Sequence, residues 1–395
     1  MDIAVVGCGV AGQAAAISLA DAGHAVTVFE RFVEPRPIGA GLLLQPTGLA
    51  VLRALGLADA AVASGAVIHG LQGRTAGGRI VLDLAYADLH KAAHGLGIRR
   101  SALFDLLHGR LKRSAARLVI GCEIADIEGG HLVDKAGRRH GPFDLVIVAD
   151  GAHSALRARL MPEARAALYP WGCLWTTVPD VAGVGMSGLL QQRVRGTTEM
   201  MGLLPVGNGQ LTLYWSVPAA ATPDLEGFRR AALALWPATA EAIEHAVHAD
   251  AFTHATYRHV ALPRWNAGTT LFIGDAAHGT SPQLGQGANL GLMDAWVLAR
   301  SLEESVDVPA AFAQFARRRT STVRFYRQAS HLLTPFFQSR LRPLGWARDA
   351  FLGWGCRMPL LRPLMTTTLG GLRRGWLSSA TLDAEGSYLL GGQAR

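Results

Sequence analysis

The spacing of apolar residues changes character twice along the chain. Asp2 to Val6 is a short apolar run that reads as a buried strand, and it ends in GCGVAG at 7–12. Ala14, Ala15 and Ala16 follow, then Ile17 and Leu19 at helical spacing, with Gly23 as the stop. HAVTVFE at 24–30 alternates as a second strand, and its last residue, Glu30, stands eighteen positions after Gly12. Strand, glycine turn, helix, strand and acid in this order form a dinucleotide-binding unit, which a bare GxGxxG would not establish. Gly7 permits the tight turn, Gly9 lets main chain approach a pyrophosphate, and Gly12 lets the helix pack closely on the strand. Val10 and Ala11 open the helix, whose unpaired N–H groups favour phosphate. Glu30, followed by Arg31, accepts hydrogen bonds from a ribose.

Further on come a Pro- and Gly-rich loop, PRPIGAG at 35–41, a helix over 47–55, and short strands near 67–73 and 79–85. The stretch 98–111 reads as an amphipathic helix with Leu103, Leu107 and Leu111 on one stripe. DLVIVADGAHSALR at 144–157 is another buried strand, closing on Asp150 and Gly151. From 163 to 261 the period becomes two, in segments such as WGCLWTTV and LTLYWSV, which predicts an antiparallel sheet with a helix over 225–236. TLFIGDAAH then returns to the strand-then-turn pattern. The predicted fold is α/β: a Rossmann-like nucleotide domain over 1–67, 97–162 and 262–330, an inserted antiparallel-sheet substrate domain over 68–96 and 163–261, and a C-terminal helical segment over 331–395.

The stretch GDAAHGTSPQLGQGANL, 274–290, keeps side chains small where a strand gives way to a helix. Asp275 falls at the carboxyl end of a strand, where open α/β sheets place ligands, and as a buried carboxylate it needs donors such as ribityl or sugar hydroxyls. After Gly285, a helix starting near Gln286 points the N–H groups of Gly287, Ala288 and Asn289 outward. Such a start suits the pyrimidine edge of a flat ring system lying against main chain, with Pro282 as a rigid wall lacking an N–H. His278 reads equally as a structural histidine or as a proton-handling catalytic one.

Composition narrows the class. Half the residues are hydrophobic and 17% are charged, so a globular core rather than disorder is expected. The N-terminus reads as no signal peptide, no uncharged apolar run is long enough to span a membrane, and Cys8, Cys122, Cys173 and Cys356 show no metal spacing. A cytoplasmic protein with reduced thiols and no bound metal is expected. The formal charge of +8 is lopsided: from Arg317 onward thirteen arginines face only Asp349, Asp383 and Glu385, giving +10, which leaves −2 for the rest. No nucleic-acid-binding pattern accompanies this bias. Residues 331–377 interleave arginines with Phe336, Phe337, Trp346, Phe351, Trp354 and Trp376, and prolines at 335, 343, 359 and 363 predict short helices. They read either as a helical layer over the core or as a peripheral contact with the inner membrane surface.

GCGVAG with Glu30, ADGAHSALR, and GDAAHGTSPQLGQGANL together resemble the group A flavoprotein monooxygenases, the single-component aromatic hydroxylases related to para-hydroxybenzoate hydroxylase and the ubiquinone-pathway hydroxylases. The resemblance runs over roughly 1–330 in order and spacing. R-x-x-L-x-x-x-L at Arg100, Leu103 and Leu107 extends it, with Arg99 an adjacent substitute. It implies FAD as cofactor, NADH or NADPH as transient co-substrate, and O2, with a C4a-hydroperoxyflavin passing one oxygen to an apolar, aromatic small molecule by hydroxylation or epoxidation. It also implies Arg100 and Asp275 beside the ribityl chain or phosphates, Asp150 and Gly151 near FAD and nicotinamide, and Pro282 at the reactive edge. Ser154 and Arg157 complete a DGxxSxxR pattern, in which Arg157 either meets ligand or braces the loop by an ion pair. Trp175, Met201, Tyr214 and Trp215 are candidate pocket liners, and they read equally well as core. A reductase or dehydrogenase of the same fold is the alternative; a flavin halogenase lacks its WxWxIP signature here.

Overall fold

The computed structural model describes residues 1–35, 40–181, 183–221, 224–248 and 252–390, so most of the loop expected at 35–41 lies outside the described residues. Asp2–Val6 pairs in parallel with Ala25–Phe29 on one side and Leu145–Val148 on the other. Thr270–Phe272 and Arg117–Val119 extend this parallel sheet, and Asn266–Ala267 closes a six-stranded order as an antiparallel edge. The period of two in the first strand explains its position. Ile3 and Val5 point into a core shared with Ala14, Ile17, Leu292 and Leu298 of the helices Val10–Asp21 and Gly287–Glu303. Ala4 and Val6 point the other way, against Leu156 and Phe272. Burying both faces makes such strands apolar throughout, and each fully buried Ile or Leu contributes roughly 1.5–3 kcal/mol.

A seven-stranded sheet takes five strands from 165–261 and two, Gly70–Thr75 and Ile80–Ala85, from the earlier segment. It is antiparallel except where Leu189–Arg195 runs parallel to Gly70–Thr75. The helices Leu225–Leu235 and Ala240–His248 cover one face, the second of them unforeseen in the sequence pattern. A small sheet of Gly41–Leu44, Gly95–Arg99 and Ala66–Ile68 lies between the two larger ones. Here one expectation is corrected: Ile98 and Arg99 pair with Leu42 and Gly41 as strand, and the helix begins only at Arg100, running to Lys112.

The C-terminal segment differs more. Instead of several short helices, one 30-residue helix, Val308–Phe337, runs without interruption past position 330. Pro335 falls in its last turn, where the lost N–H removes a single bond and does not break the helix. Arg342–Gly355 and Leu361–Leu369 follow, the first packed on strand Ile80–Ala85. The tail thus bridges the nucleotide sheet and the seven-stranded sheet.

Candidate active site

The three small-residue loops converge at the carboxyl ends of the parallel strands. Gly7 has φ +104°, and a Cβ there would strike the Ala149 carbonyl and Asp150 Cα, so the first loop rests directly on the 149–151 turn. A Cβ on Gly12 would overlap the Gly7 carbonyl oxygen. On Gly9 it would meet nothing within 4 Å. Gly274, at φ +60°, approaches Ala11 so closely that a Cβ would lie 2.9 Å from the alanine methyl, and one on Gly291 would lie 3.1 Å from it. Residues 7–12 and 274–291 therefore build one wall from opposite ends of the sequence.

That wall bounds a cavity of about 920 Å³. Gly7, Gly9, Val10, Ala11, Glu30, Arg31, Arg100, Asp150 and Gly151 line it, as do Asp275, Pro282, Gly285, Gly287 and Ala288. Arg100 lines it and Arg99 does not. Glu30 is buried and oriented by main chain: Cys8 N–H donates to its Oε2 at 2.8 Å and Phe32 N–H to its Oε1 at 3.0 Å. A carboxylate has further lone pairs to offer. Burial beside Glu30 pushes the Cys8 thiol up to about 12, so it stays protonated. Asp275 lines the cavity with its carboxylate open to it, where donors from a ligand can reach it. The first bond of the Gly287–Glu303 helix is Leu290 N–H to Gln286 O at 2.8 Å, so the N–H groups of Gly287, Ala288 and Asn289 precede the helical ladder.

Asp150 is held up from the usual carboxylate range by burial, against the opposing effect of a hydrogen bond from Ser154. Its Oδ1, with Thr280 Oγ1 and Gln286 Oε1 on other lining residues, has no hydrogen-bond partner among the described residues. Buried polar atoms in that condition on a cavity wall call for a polar ligand. Arg157 does not touch the cavity. It donates to Ala276 O at 2.9 Å and Ala152 O at 2.8 Å, bracing the second loop against the third through carbonyls rather than by an ion pair.

The seven-stranded sheet supplies the remaining walls. Trp175, Met200, Tyr214 and Tyr257 line the cavity, and Trp175 Nε1–H donates to Tyr257 Oη at 3.0 Å with the Trp175 and Tyr214 rings 5.2 Å apart. Burial holds the Tyr214 and Tyr257 phenols well above their ordinary pKa, so both remain neutral. Phe337, Leu352, Met365 and Leu369 of the C-terminal helices close the cavity.

The geometry is that of a dinucleotide cradle opening into an apolar chamber, and known proteins share it. A profile of the FAD binding domain family matches residues 1–320. The chain belongs to this FAD-binding family. A 3-amino-4-hydroxybenzoate 2-monooxygenase of Streptomyces cremeus is 31% identical over 367 residues, spanning 85% of this chain and 87% of that protein. Aurachin C monooxygenase/isomerase of Stigmatella aurantiaca is 28% identical over 366 residues, or 90% and 92% of the two chains. The crystal structure of Klebsiella pneumoniae HpxO complexed with FAD and uric acid shares the fold, with a TM-score of 0.81 at 20% identity over 96% of this chain and 98% of that one. The protein is an FAD-dependent monooxygenase, an oxidoreductase with FAD as cofactor and NADH or NADPH as co-substrate.

Within this FAD-binding family member, five expected site residues stand away from the cavity wall. His278 is buried, its Nε2 2.6 Å from Asp294 Oδ2, while Arg319 Nε lies 2.7 Å from Asp294 Oδ1. Asp294 also accepts the Gly274 N–H at 2.9 Å, so this buried trio fixes the turn before Asp275 and keeps the His278 imidazole off the cavity wall. Asn289 turns its side chain away, accepting Gln45 N–H at 2.8 Å and donating to Leu43 O at 3.1 Å. Met201 and Trp215 lie on the far face of the sheet, packed with Phe228 and Leu235. Their neighbours Met200 and Tyr214 face the cavity because side chains alternate along a strand. Gly12 shapes the cradle from beneath.

Asp294, Arg319 and Tyr257 were missed in the sequence pattern. Asp294 carried a signal: a lone acid on the inward stripe of Leu290, Met293 and Val297 must find buried partners. The fold also gathers Cys122, Asp134 and His140, with candidate ligand atoms within 4.8 Å of one another. Asp134 is already engaged, by Arg138 Nε at 2.8 Å and by the Ala136 and Arg138 N–H groups at 2.9 Å, and the guanidinium opposes a second cation there.

The sheet's two faces give a paired prediction. Tyr214→Ala should raise the KM for an aromatic substrate with folding retained, whereas Trp215→Ala should remove about 3–5 kcal/mol of stability, the usual range for emptying a buried aromatic site. Thermal melts and steady-state kinetics of both variants check it; equal effects on both readouts would contradict the assignment of faces.

Proposed function

We propose that the protein hydroxylates a neutral, apolar, aromatic small molecule, using O2 and NADH or NADPH. One observation carries this reading. Every charged cavity-lining residue (Glu30, Arg31, Arg100, Glu123, Asp150, Asp275) comes from the nucleotide domain, while every lining residue from the seven-stranded sheet and the C-terminal helices is uncharged. The polar half suits a dinucleotide and the other half an uncharged ring.

Bound FAD supplies electron transfer from the nicotinamide and activation of O2. The chain's residues hold and shield it. The Gly7–Val10 turn and the start of the first helix receive the pyrophosphate, Glu30 the ribose hydroxyls, and Arg100 and Asp275 the ribityl and phosphate region. The N–H groups of Gly287, Ala288 and Asn289, with the helix dipole and Pro282 nearby, would hold the flavin ring and favour negative charge on it. Asp150 and Gly151, on the cavity wall, would meet the docking nicotinamide. Trp175, Tyr214 and Tyr257 orient the substrate ring and keep water from the reacting atoms.

The test is a panel of phenols, quinolones and polyketide-like aromatics. At least one should stimulate NAD(P)H consumption and gain one oxygen atom. Reduction of a panel member without oxygen uptake would favour a reductase of the same fold and overturn the proposal. Peripheral membrane contact through 331–377 would suit such a substrate, which partitions into lipid.

A further inference from the structure

We infer that the outer face of helix Arg342–Gly355, with the turns that follow it, seats the enzyme on an anionic membrane surface. The helix is fastened on its inner side. Arg348 is buried and donates to Gly196 O at 2.8 Å and Phe336 O at 2.9 Å, and Gly345 lies against Gly196 and Thr197. Gly353 packs so closely on Ile80 that a Cβ would touch its carbonyl. Stability therefore does not require the apolar residues that the helix turns outward, yet these are large. Trp346 is 72% exposed, Phe351 68% and Trp354 62%, and Leu360 just beyond is 85% exposed. Scattered exposed apolar side chains are ordinary; a cluster of three aromatics on one rigid helix face marks a contact surface.

Charge says what covers it. Between Asp307 and Asp383 the single acid is Asp349, and it pairs with Arg348 at 2.7 Å. Arg340, Arg342 and Arg357 are exposed at the two ends of this helix, while Arg362 is held by Asp88. Indole rings at headgroup depth flanked by guanidinium groups are complementary to a bilayer bearing anionic lipid. No helix among the described residues is long and apolar enough to cross a membrane, so the contact is peripheral.

The cavity reaches the same segment. Leu332 and Trp376 are exposed and also line the chamber, beside Leu364 and Met365. A lipophilic substrate dissolved in the bilayer would reach the chamber through these flanking parts of the C-terminal segment; this consequence, unlike the docking itself, rests on the substrate class proposed above.

The experiment uses the full chain loaded with FAD and co-sedimentation with vesicles of phosphatidylglycerol and phosphatidylethanolamine, or of phosphatidylcholine alone. The yellow protein should pellet with the anionic vesicles at low salt and stay in the supernatant with phosphatidylcholine or at high salt. The triple variant Trp346→Ser, Phe351→Ser, Trp354→Ser should keep its flavin spectrum and melting temperature while partitioning at least tenfold less. Equal supernatant recovery with both vesicle types at low salt overturns the inference. So does a wild-type protein that self-associates without vesicles and that the triple variant renders monomeric, because a second copy would then cover the face. Oxygen uptake with a water-soluble phenol on the same samples reports separately on the catalytic proposal.

Discussion

Gly12→Ala should bind FAD far more weakly and be measurably less stable, although it adds one methyl group in a helix. The methyl overlaps the Gly7 carbonyl oxygen, and Gly7 cannot retreat because it already rests on Ala149 and Asp150. Either the helix start lifts or the turn opens. Overpacking of this kind costs roughly 1–3 kcal/mol of folding stability. The displaced N–H groups should weaken FAD binding on the order of 100-fold, about 2.8 kcal/mol. Gly9→Val is the informative contrast. A Cβ there meets no protein atom within 4 Å and the backbone at φ −77° accepts it, so folding should survive while the side chain occupies the approach to the pyrophosphate. Thermal melting of the apoproteins and FAD titration by flavin fluorescence separate the two effects. Wild-type FAD affinity in Gly9→Val would show that the first loop is not the phosphate site.

Asp294→Ala should be the most damaging single change outside the cavity wall. The carboxylate is fully buried, and removing it strands the buried Arg319 guanidinium and frees the Gly274 N–H. Breaking a buried pair from one side costs about 3–5 kcal/mol, so the holoprotein should lose most of its thermal transition and with it the placement of Asp275. Asp294→Asn keeps the shape and an acceptor for Gly274, and should lose less. The same group sets an acid limit. Burial pushes the Asp294 carboxyl up, but His278, Arg319 and the Gly274 N–H outweigh it and hold the group below its ordinary range. A carboxyl depressed by folding stabilises above its unfolded pKa, near about 4, and loses that contribution as pH falls through the lower folded value. Acid unfolding of wild type should therefore include a steep component below about pH 4 that Asp294→Asn lacks. Superimposable acid-unfolding curves for the two would contradict it.

Much of this site could be read in the sequence because its parts are local. The first strand, glycine turn, helix and Glu30 lie within one short unit whose periods change where the backbone changes. The 274–290 loop is equally self-contained, an apolar strand handing over to small residues and a helix start. What could not be read depended on packing between distant segments. Alternation in 165–261 located the sheet but not its cavity face, because helices bury both sides: Leu225–Leu235 and Ala240–His248 on one, the C-terminal helices on the other. With both faces apolar, Trp215 and Tyr214 look alike in sequence. The burial of His278 could not be read without Asp294, which reaches it from a later helix, and Arg319, which holds the other oxygen of Asp294. Arg157 reads in sequence either as a ligand contact or as an ion-pair brace, and it uses carbonyls of two loops instead, a contact that no spacing records. The prolines after 330 correctly marked helix ends at 343 and 363, yet Pro335 came one turn too late to break the helix in which it sits.

A flavin cradle and an uncharged aromatic pocket meet in one chamber, and isotope-labelled oxygen tests their joint chemistry most directly. With a substrate that stimulates NAD(P)H oxidation, turnover under heavy-isotope O2 should place one labelled atom in the product for each nicotinamide consumed. Product carrying no label, or nicotinamide consumption that yields peroxide alone for every substrate tried, would contradict it.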